Sequence, residues 1–380
     1  MGTSTQLDDR FHRRIDLLVA NGWQPADLAH LVKRNGTQRS TRLVVGYLAQ
    51  HARRTDAPHK APHEWLGQLQ DLGAFDPAAG AVVGGHGDVL DRWARVEQLD
   101  ADEARTIATD TLAVLDHAPR LQELLTPPER WGNSNKGLRI SVVTGEVEAK
   151  ALKLIRALLA KAEATTFEAE AEAFTAKAQE LMTRHSIDTA ILAAHATPGG
   201  HAGIHSRRVH IDNPYANEKA TFLSAIALVN GAKCVWSPDA GFSTLMGFPV
   251  DLQLTDVLFT SLLVQATHAS AAATVHDKRL RTRSFRRAFL VSFANRIAER
   301  LEATRFRVTH DAQTEYGSSL LPVLAQREAA VEAAYSQAFP NATPMPSRRY
   351  NAHGWHAGQE AADRADIGAG AAIARGSAKG

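Results

Sequence analysis

The chain has 380 residues, of which 44% are hydrophobic and 22% are charged, and its formal net charge is +2. This length suits two or three domains of ordinary size, and the composition excludes a fibrous or largely disordered chain. A net charge this small also excludes binding of nucleic acid through overall charge, so such a role needs a local patch of cations.

The single cysteine and the length of the apolar runs narrow the class of protein further. Cys234 alone excludes an internal disulfide framework and a zinc site built from several thiolates of one chain. No apolar run approaches the roughly 20 residues that cross a bilayer, and the first residues lack the apolar segment of a signal peptide. We therefore predict a cytoplasmic protein that makes no membrane contact.

The first third of the chain has apolar residues at helical spacing, interrupted by Gly and Pro. This pattern predicts an all-α module over residues 1–125. Trp23, Trp65 and Trp93 each fall in a separate helical region, which is typical of core anchors rather than of an aromatic binding surface.

Two helices of this module, within residues 24–54, raise the alternative of a DNA-binding helix-turn-helix. The second of them starts with Arg39, Ser40, Thr41 and Arg42, where such a motif presents contacts to a major groove. The predicted turn is longer than the usual three or four residues. A plain helical hairpin is therefore favoured.

A linker and a helical hairpin follow. Residues 126–147 contain paired prolines, glycines and asparagines without a helical period, which is typical of a linker. Residues 148–196 carry two apolar stripes at helical spacing and are predicted to form the hairpin. Thr165 with Glu168 three residues later is the pattern of a capping box for the second helix. The acidic outer face of the hairpin indicates a solvated surface or a docking surface for basic helices elsewhere.

The last segment, residues 197–380, changes period and is predicted to be an α+β domain. It contains an alternating stretch at 205–212, a β-hairpin that turns at 238–241, and two long helices over about 250–274 and 284–307. The apolar run "SLLPVLA" reads as a further strand, and two more helices follow. The predicted fold class is α+β, predominantly α, with a small C-terminal β-sheet covered by long helices.

The hairpin also resembles a known family. The stretches "KLIRALLAKAE", "EAEAEAF" and "AKAQELMTRHSID" are similar to the short bacterial and phage domain of unknown function number two-seven-eight-six, over roughly residues 149–190. The flanking stretches "NGWQPADLAHLV", "SFRRAFLVSFANRIAERL" and "GWHAGQEAADRADIG" look like its actinobacterial members. The resemblance implies a helical hairpin followed by an α/β domain. It brings no established activity, so it implies no catalytic residue.

The strongest charge signal lies between Asp277 and Arg307, where ten cations face three acids and the local net charge is +7. Apolar residues at Phe285, Phe289, Phe293 and Ile297 predict the buried side of a helix in this segment. Guanidinium groups near a helix start suit phosphate, because each donates two parallel hydrogen bonds and the helix end adds partial positive charge. The candidate phosphate-binding residues are Arg279, Arg281, Arg283, Arg286 and Arg287.

The sequence leaves three functions open. The leading hypothesis is a non-enzymatic binding protein that contacts the backbone of DNA or RNA through these arginines; the alternative for the arginines is internal pairing with the acidic hairpin. A second hypothesis is a metal-dependent enzyme, and a third is a protein-interaction scaffold whose hairpin docks a partner. The weak candidate metal ligands are His353, His356, Glu360 and Asp363, which a helix would place near one face.

The common catalytic motifs are absent from the sequence. It contains no phosphate-binding P-loop, no dinucleotide-binding glycine pattern after a strand, no G-x-S-x-G elbow and no H-E-x-x-H motif. We therefore assign no catalytic residue and expect no cofactor, and we leave open whether the protein is an enzyme.

Overall fold

The structure is a computed structural model that describes residues 2–76, 88–132, 146–164, 168–196, 203–275, 281–343 and 352–364. The chain divides into two compact units. The first comprises Met1–Val142, His210–Pro214 and Ser237–Phe242, and the second comprises Val143–Val209, Tyr215–Trp236 and Ser243–Gly380.

The described helices of the first unit follow the helical pattern of the sequence. They are α1 (Gly2–Ala20), α2 (Pro25–Asn35), α3 (Gln38–Arg54), α4 (Ala57–Lys60), α5 (His63–Asp71), α6 (Val89–Val96) and α7 (Ala101–Asp116). Local side-chain chemistry sets several of their starts. Asp100 accepts hydrogen bonds from the N–H groups of Asp102 and Glu103 at 2.9 and 2.8 Å, which satisfies two amides that have no partner within α7.

The second unit contains the hairpin helices, most of the sheet and the later helices. Its elements are α8 (Glu146–Ala164), α9 (Glu168–Ala196), β1 (His205–His210), α10 (Ala216–Val229), β2 (Lys233–Ser237), β3 (Phe242–Gly247), α11 (Pro249–Ala272), α12 (Arg283–Tyr316), α13 (Leu320–Ala338) and α14 (Ala352–Arg364). The three strands form one antiparallel sheet in the order β1–β3–β2. The structure is 75% helical, which confirms the predicted α+β, predominantly α fold class. Among the described helices, none has the length and apolar content needed to cross a membrane.

Tryptophan anchors form the core of the first unit, as the sequence predicts. Trp23 and Trp93 are fully buried and Trp65 is 2% exposed. The Trp23 ring packs edge-on against Phe242, with 6.2 Å between ring centroids, and its indole N–H donates to the Pro119 carbonyl at 2.7 Å. Each tryptophan therefore removes a large apolar area from water while the polar atom of Trp23 keeps a partner.

The hairpin of the second unit also follows the sequence. Ile155 and Leu159 of α8 and Ala178 and Met182 of α9 are buried, as the two predicted apolar stripes require. The predicted capping residue Thr165 lies outside the described residues.

One predicted strand is wrong. The run "SLLPVLA" is not a strand, because α13 begins at Leu320 and continues to Ala338. Pro322 lies in the first turn of this helix, where a backbone N–H has no acceptor within the helix and its loss costs little. The Ala, Glu and Gln residues that follow have high helix propensity and extend the helix through the apolar run.

Close packing holds α14 against α12. Gly358 is buried, and a Cβ at this position would collide with the Phe289 carbonyl oxygen and lie 2.9 Å from the Ser292 Cβ. The Ser292 hydroxyl donates to the Trp355 carbonyl at 2.5 Å beside this contact. The glycine therefore permits the close approach of the two helix backbones.

We expect the substitution Gly358→Ala to lower the free energy of unfolding by about 1–3 kcal/mol, because an added methyl group overpacks a tight contact. Denaturation followed by the fluorescence of Trp355 and the other tryptophans measures this change. Gly67→Ala is the matched control, since no atom lies within 4 Å of the added Cβ in α5. Alanine has the higher helix propensity, so the control should gain up to about 1 kcal/mol. Equal effects of the two substitutions would contradict the packing role of Gly358.

A buried histidine joins α2 to the later segments of the first unit. His30 is 7% exposed, and its Nε2 lies 2.9 Å from the Gly241 carbonyl oxygen, so this nitrogen carries the donated proton. The neighbouring His210 ring lies 4.8 Å away between centroids, and its Nε2 lies 2.8 Å from Asp27 Oδ1. Separate hydrogen bonds thus hold the two imidazoles next to each other, with their planes tilted by 38°.

Burial, followed by the proximity of His210, lowers the pKa of His30 to about 4. Two nearby charges act in opposite directions. Asp212 Oδ1 lies 3.8 Å from His30 Nδ1 and favours a charged ring, whereas Lys33, itself 3.0 Å from Asp212, disfavours one. Arg34 donates to the Ile211 carbonyl at 3.3 Å on the same side of α2. Neutral His30 is therefore the form that the folded unit stabilises.

We expect the stability of the first unit to fall as the pH drops from about 6.5 toward 4. The unfolded chain takes up a proton at His30 near pH 6.5, whereas the folded chain does so only near pH 4. Protonation therefore favours unfolding between these two pH values, and above pH 6.5 the neutral ring costs no stability. The loss is at most on the order of 3 kcal/mol. Urea denaturation at pH 7.5 and pH 4.5 measures it.

His30→Gln keeps an N–H donor for the Gly241 carbonyl but removes the titration. This variant should lose less stability between the two pH values than the wild type does. His63→Gln, at an exposed position, is the control and should behave like the wild type. An unchanged pH dependence in His30→Gln would show that other groups cause the acid sensitivity.

Candidate functional site

The candidate site is the N-terminal turn of α12, residues 281–287. Thr282 is the N-cap residue, and its hydroxyl accepts a hydrogen bond from the Phe285 N–H at 3.1 Å. The Ser284 hydroxyl lies 3.1 Å from the same Thr282 oxygen. The positive end of the helix dipole is therefore presented together with two exposed hydroxyl side chains.

An aromatic row on the opposite face of the turn fixes which side chains point outward. Phe285, Phe289 and Phe293 are at most 1% exposed, and Ile297 is fully buried, as the sequence predicts. Neighbouring rings of the row lie 6.2 and 6.0 Å apart between centroids. Because these residues recur every four positions, they occupy one face of the helix, and the arginines between them lie outside the core.

The structure places the five predicted arginines differently. Arg281, Arg283, Arg286 and Arg287 are exposed and lie within two turns, whereas Arg279 lies outside the described residues. Arg281 donates from Nε to the Thr274 carbonyl at 3.2 Å, which leaves its terminal nitrogens for other acceptors. In the part of the chain that the structure describes, Arg283 and Arg286 make no ion pair.

Arg287, one of the five predicted arginines, has a partner that the sequence does not predict. Its Nε lies 3.5 Å from Oε1 of Glu218, a residue of α10 whose side chain is 5% exposed. Glu218 lies about 70 positions earlier in the chain, and its own neighbourhood carries no sequence signal for this contact. The pair reduces the positive charge that Arg287 offers to an external anion.

The remaining arginines of the basic segment have internal partners. Arg296 pairs with Glu299 at 2.7 Å, Arg300 donates to the Ala362 carbonyl, and Arg305 donates to the Val229 carbonyl. Their positions place them along the middle of α12, where other helices pack. Among the described arginines of the basic segment, those that lack a partner in the described part of the chain thus lie at the start of the helix.

Internal pairing with the acidic hairpin stays a prediction. The side chains of Glu168 and Glu172 lie outside the described residues, so their distance from the arginines is not defined. Other polar residues of α9 do pair within the second unit: Arg184 binds Glu315, and the Ser186 hydroxyl donates to Asp251 at 2.6 Å. These contacts tie the hairpin to α12 and α11.

The candidate metal ligands are only partly described. All four lie in α14, but the side chains of His353 and Asp363 fall outside the described residues. His356 and Glu360 are exposed and one helical turn apart, which supplies two ligands at most. Among the side chains that are described, no group of three or more His, Cys, Asp or Glu residues is placed to hold a metal ion. The metal site stays a prediction.

The arginines at the start of α3, which a helix-turn-helix would present to DNA, pair with a carboxylate of the first unit instead. Arg42 forms a two-pronged pair with Glu97, with distances of 2.5 and 2.7 Å, and Arg39 lies 3.6 Å from the same carboxylate. The turn before α3 consists of Gly36 and Thr37 and is shorter than the sequence predicts. Because one carboxylate holds both guanidinium groups, this helix start is a weaker candidate for binding phosphate than that of α12.

Cys234 is a poor nucleophile. It lies in β2 and is partly buried, and burial raises the pKa of its thiol to about 11. The thiol therefore stays protonated near neutral pH, and the reactive thiolate is scarce.

The comparison with known proteins agrees with the resemblance seen in the sequence. No curated protein and no solved structure matches the chain. Residues 150–189 match the model of the family described as "Protein of unknown function (DUF2786)". The match covers most of α8 and the first three-quarters of α9, and it confirms the predicted family for this segment without assigning an activity.

Proposed function

We propose that the protein is a cytoplasmic, non-enzymatic binding protein that contacts the phosphate backbone of a nucleic acid through the start of α12. The observation that carries this proposal is the exposed pair Arg283 and Arg286, which has no carboxylate partner among the described residues and lies at a helix N-terminus. Arg281 adds two terminal nitrogens to the same surface. This combination supplies forked donors and a favourable dipole, both of which suit phosphate oxygens.

The chemistry of the surface favours backbone contacts over base reading. Guanidinium groups and hydroxyls around one helix turn can bind adjacent phosphates, and such contacts position a protein without specifying sequence. The opposite face of α12 is buried by its aromatic row, so the helix has one available side. We therefore expect salt-dependent binding with little dependence on base sequence.

The double substitution Arg283→Ala with Arg286→Ala should weaken binding to duplex DNA, single-stranded DNA or RNA. Fluorescence anisotropy with labelled 20-mers between 50 and 200 mM KCl measures the affinity and its salt dependence. Loss of two phosphate contacts should lower the magnitude of the slope of log K against log salt by about 2, uniformly across sequences. The preferred nucleic acid is the one that the wild type binds most tightly at the same salt concentration.

A second double variant separates local contacts from overall charge. Arg13→Ala with Arg53→Ala removes the same two charges from exposed positions of the first unit. This control should bind nearly as tightly as the wild type. The proposal fails if the wild type does not bind at 50 mM KCl, or if the two double variants lose affinity equally.

The pair between Arg287 and Glu218 provides a test with the opposite sign. Glu218→Gln keeps the shape of the side chain but removes the negative charge, which frees the guanidinium for phosphate. We expect tighter binding and a salt slope steeper by up to about 1. The melting temperature should be measured in parallel, because Glu218 is buried. Weaker binding by a variant that melts like the wild type would contradict a role for Arg287 in the surface.

A further inference from the structure

Two adjacent polar side chains in the interior of the second unit have unpaired oxygen atoms. Thr175 and Gln179 of α9 are both fully buried, yet Thr175 Oγ1 and Gln179 Oε1 have no hydrogen-bond partner among the described residues. Buried polar atoms in folded proteins are nearly always paired, either with protein groups or with ordered water. These two oxygens therefore indicate a further polar partner inside the unit.

The two oxygen atoms lie on one face of α9. Residues four positions apart in a helix are neighbours, with Cβ atoms about 5–6 Å apart. The amide nitrogen of Gln179 faces Thr183 Oγ1 at 3.3 Å and Asn230 Oδ1 at 3.4 Å, which fixes the amide and leaves its oxygen toward the remaining side. Asn230 is itself fixed, because its Nδ2 donates to the Ile226 carbonyl at 2.9 Å.

Three other threonines of the second unit use their hydroxyls within their own helices. The hydroxyls of Thr189, Thr221 and Thr255 each donate to the backbone carbonyl four residues earlier, at 2.7–3.0 Å. Among the described residues the Thr175 hydroxyl makes no such bond, so its proton is available to another acceptor. Gln179 Oε1 in turn accepts and cannot donate.

We propose that one water molecule binds inside the second unit between Thr175 and Gln179, accepting from the Thr175 hydroxyl and donating to Gln179 Oε1. A water molecule is the smallest ligand that both accepts and donates. Two hydrogen bonds of about 2.8 Å through one water oxygen span roughly 4.5 Å at a near-tetrahedral angle. Side chains whose Cβ atoms lie about 5–6 Å apart, one turn along a helix face, can hold their oxygens at such a separation. Internal waters of this kind bind otherwise unpaired buried groups and are part of the structure.

The site lies within the segment that matches the family of unknown function. Its neighbours extend the polar row along α9 from Thr175 through Gln179 and Thr183 to Ser186, which binds Asp251. The water completes the first part of this row. The contact from Gln179 Nε2 to Asn230 Oδ1 links this row to the C-terminal end of α10.

The test counts long-lived internal waters in the full-length protein by oxygen-17 magnetic relaxation dispersion. Thr175→Val with Gln179→Met should contain one long-lived water fewer than the wild type. Thr189→Val is the control, because this hydroxyl already has a backbone acceptor, and it should keep the wild-type count. An equal count in the double variant and the wild type overturns the proposal.

The melting temperature of the single variant Thr175→Val is a second measurement, and it should change in opposite directions for a hydrated and a dry site. If water is bound, the variant removes one of its partners and the melting temperature falls. If the site is dry, the variant removes an unpaired hydroxyl and the melting temperature rises, which overturns the proposal. Should the variants not fold, a high-resolution crystal structure of the wild type decides. Density within hydrogen-bond distance of both oxygens supports the site, and its absence overturns it.

Discussion

The burial of one aromatic face of α12 is the interaction on which the second unit depends. Phe285, Phe289 and Phe293 are fully or almost fully buried, and Phe222 of α10 packs edge-on against Phe293 with 5.8 Å between centroids. Each ring removes a large apolar area from water, so rotation of the helix about its axis would expose several rings at once. This constraint orients the helix and thereby decides which polar side chains can reach solvent. The surface at the start of α12 is thus a consequence of core packing.

Much of the fold follows from local patterns in the sequence. Helical spacing locates the helices of the first unit, and Gly–Pro interruptions separate them, because these residues act within a few positions of themselves. The β-hairpin of β2 and β3 is signalled by its turn in the same way. The strand predicted at "SLLPVLA" is wrong for a physical reason, because a short apolar run fits a strand and a helix turn equally well. The residues of high helix propensity that follow Pro322 favour the helix here.

The contacts that shape the candidate site are less predictable, because they join residues far apart in the chain. The local charge of +7 between Asp277 and Arg307 counts all ten cations as equally available to a ligand. Arg300 and Arg305 donate to backbone carbonyls in the last turns of α14 and α10, and Arg287 pairs with Glu218 of α10. Nothing near these arginines in the sequence distinguishes them from Arg283 and Arg286. The sequence therefore predicts the basic segment, whereas the structure shows which of its described arginines have partners in the same chain.

The arginines fall into two kinds, those whose guanidinium groups bond to acceptors of the same chain and those whose guanidinium groups are exposed to water. An arginine whose donors meet a carbonyl or a carboxylate of the same chain exchanges water for a fixed acceptor, and an external anion must then displace that acceptor. An exposed arginine held at a helix start needs no such exchange, and the dipole of the helix favours the incoming negative charge. By this criterion the described part of the basic segment offers fewer cations to a ligand than its charge count suggests. Arg283 and Arg286 remain, with partial contributions from Arg281 and Arg287, and this is why the proposed phosphate contacts lie at the first two turns of α12.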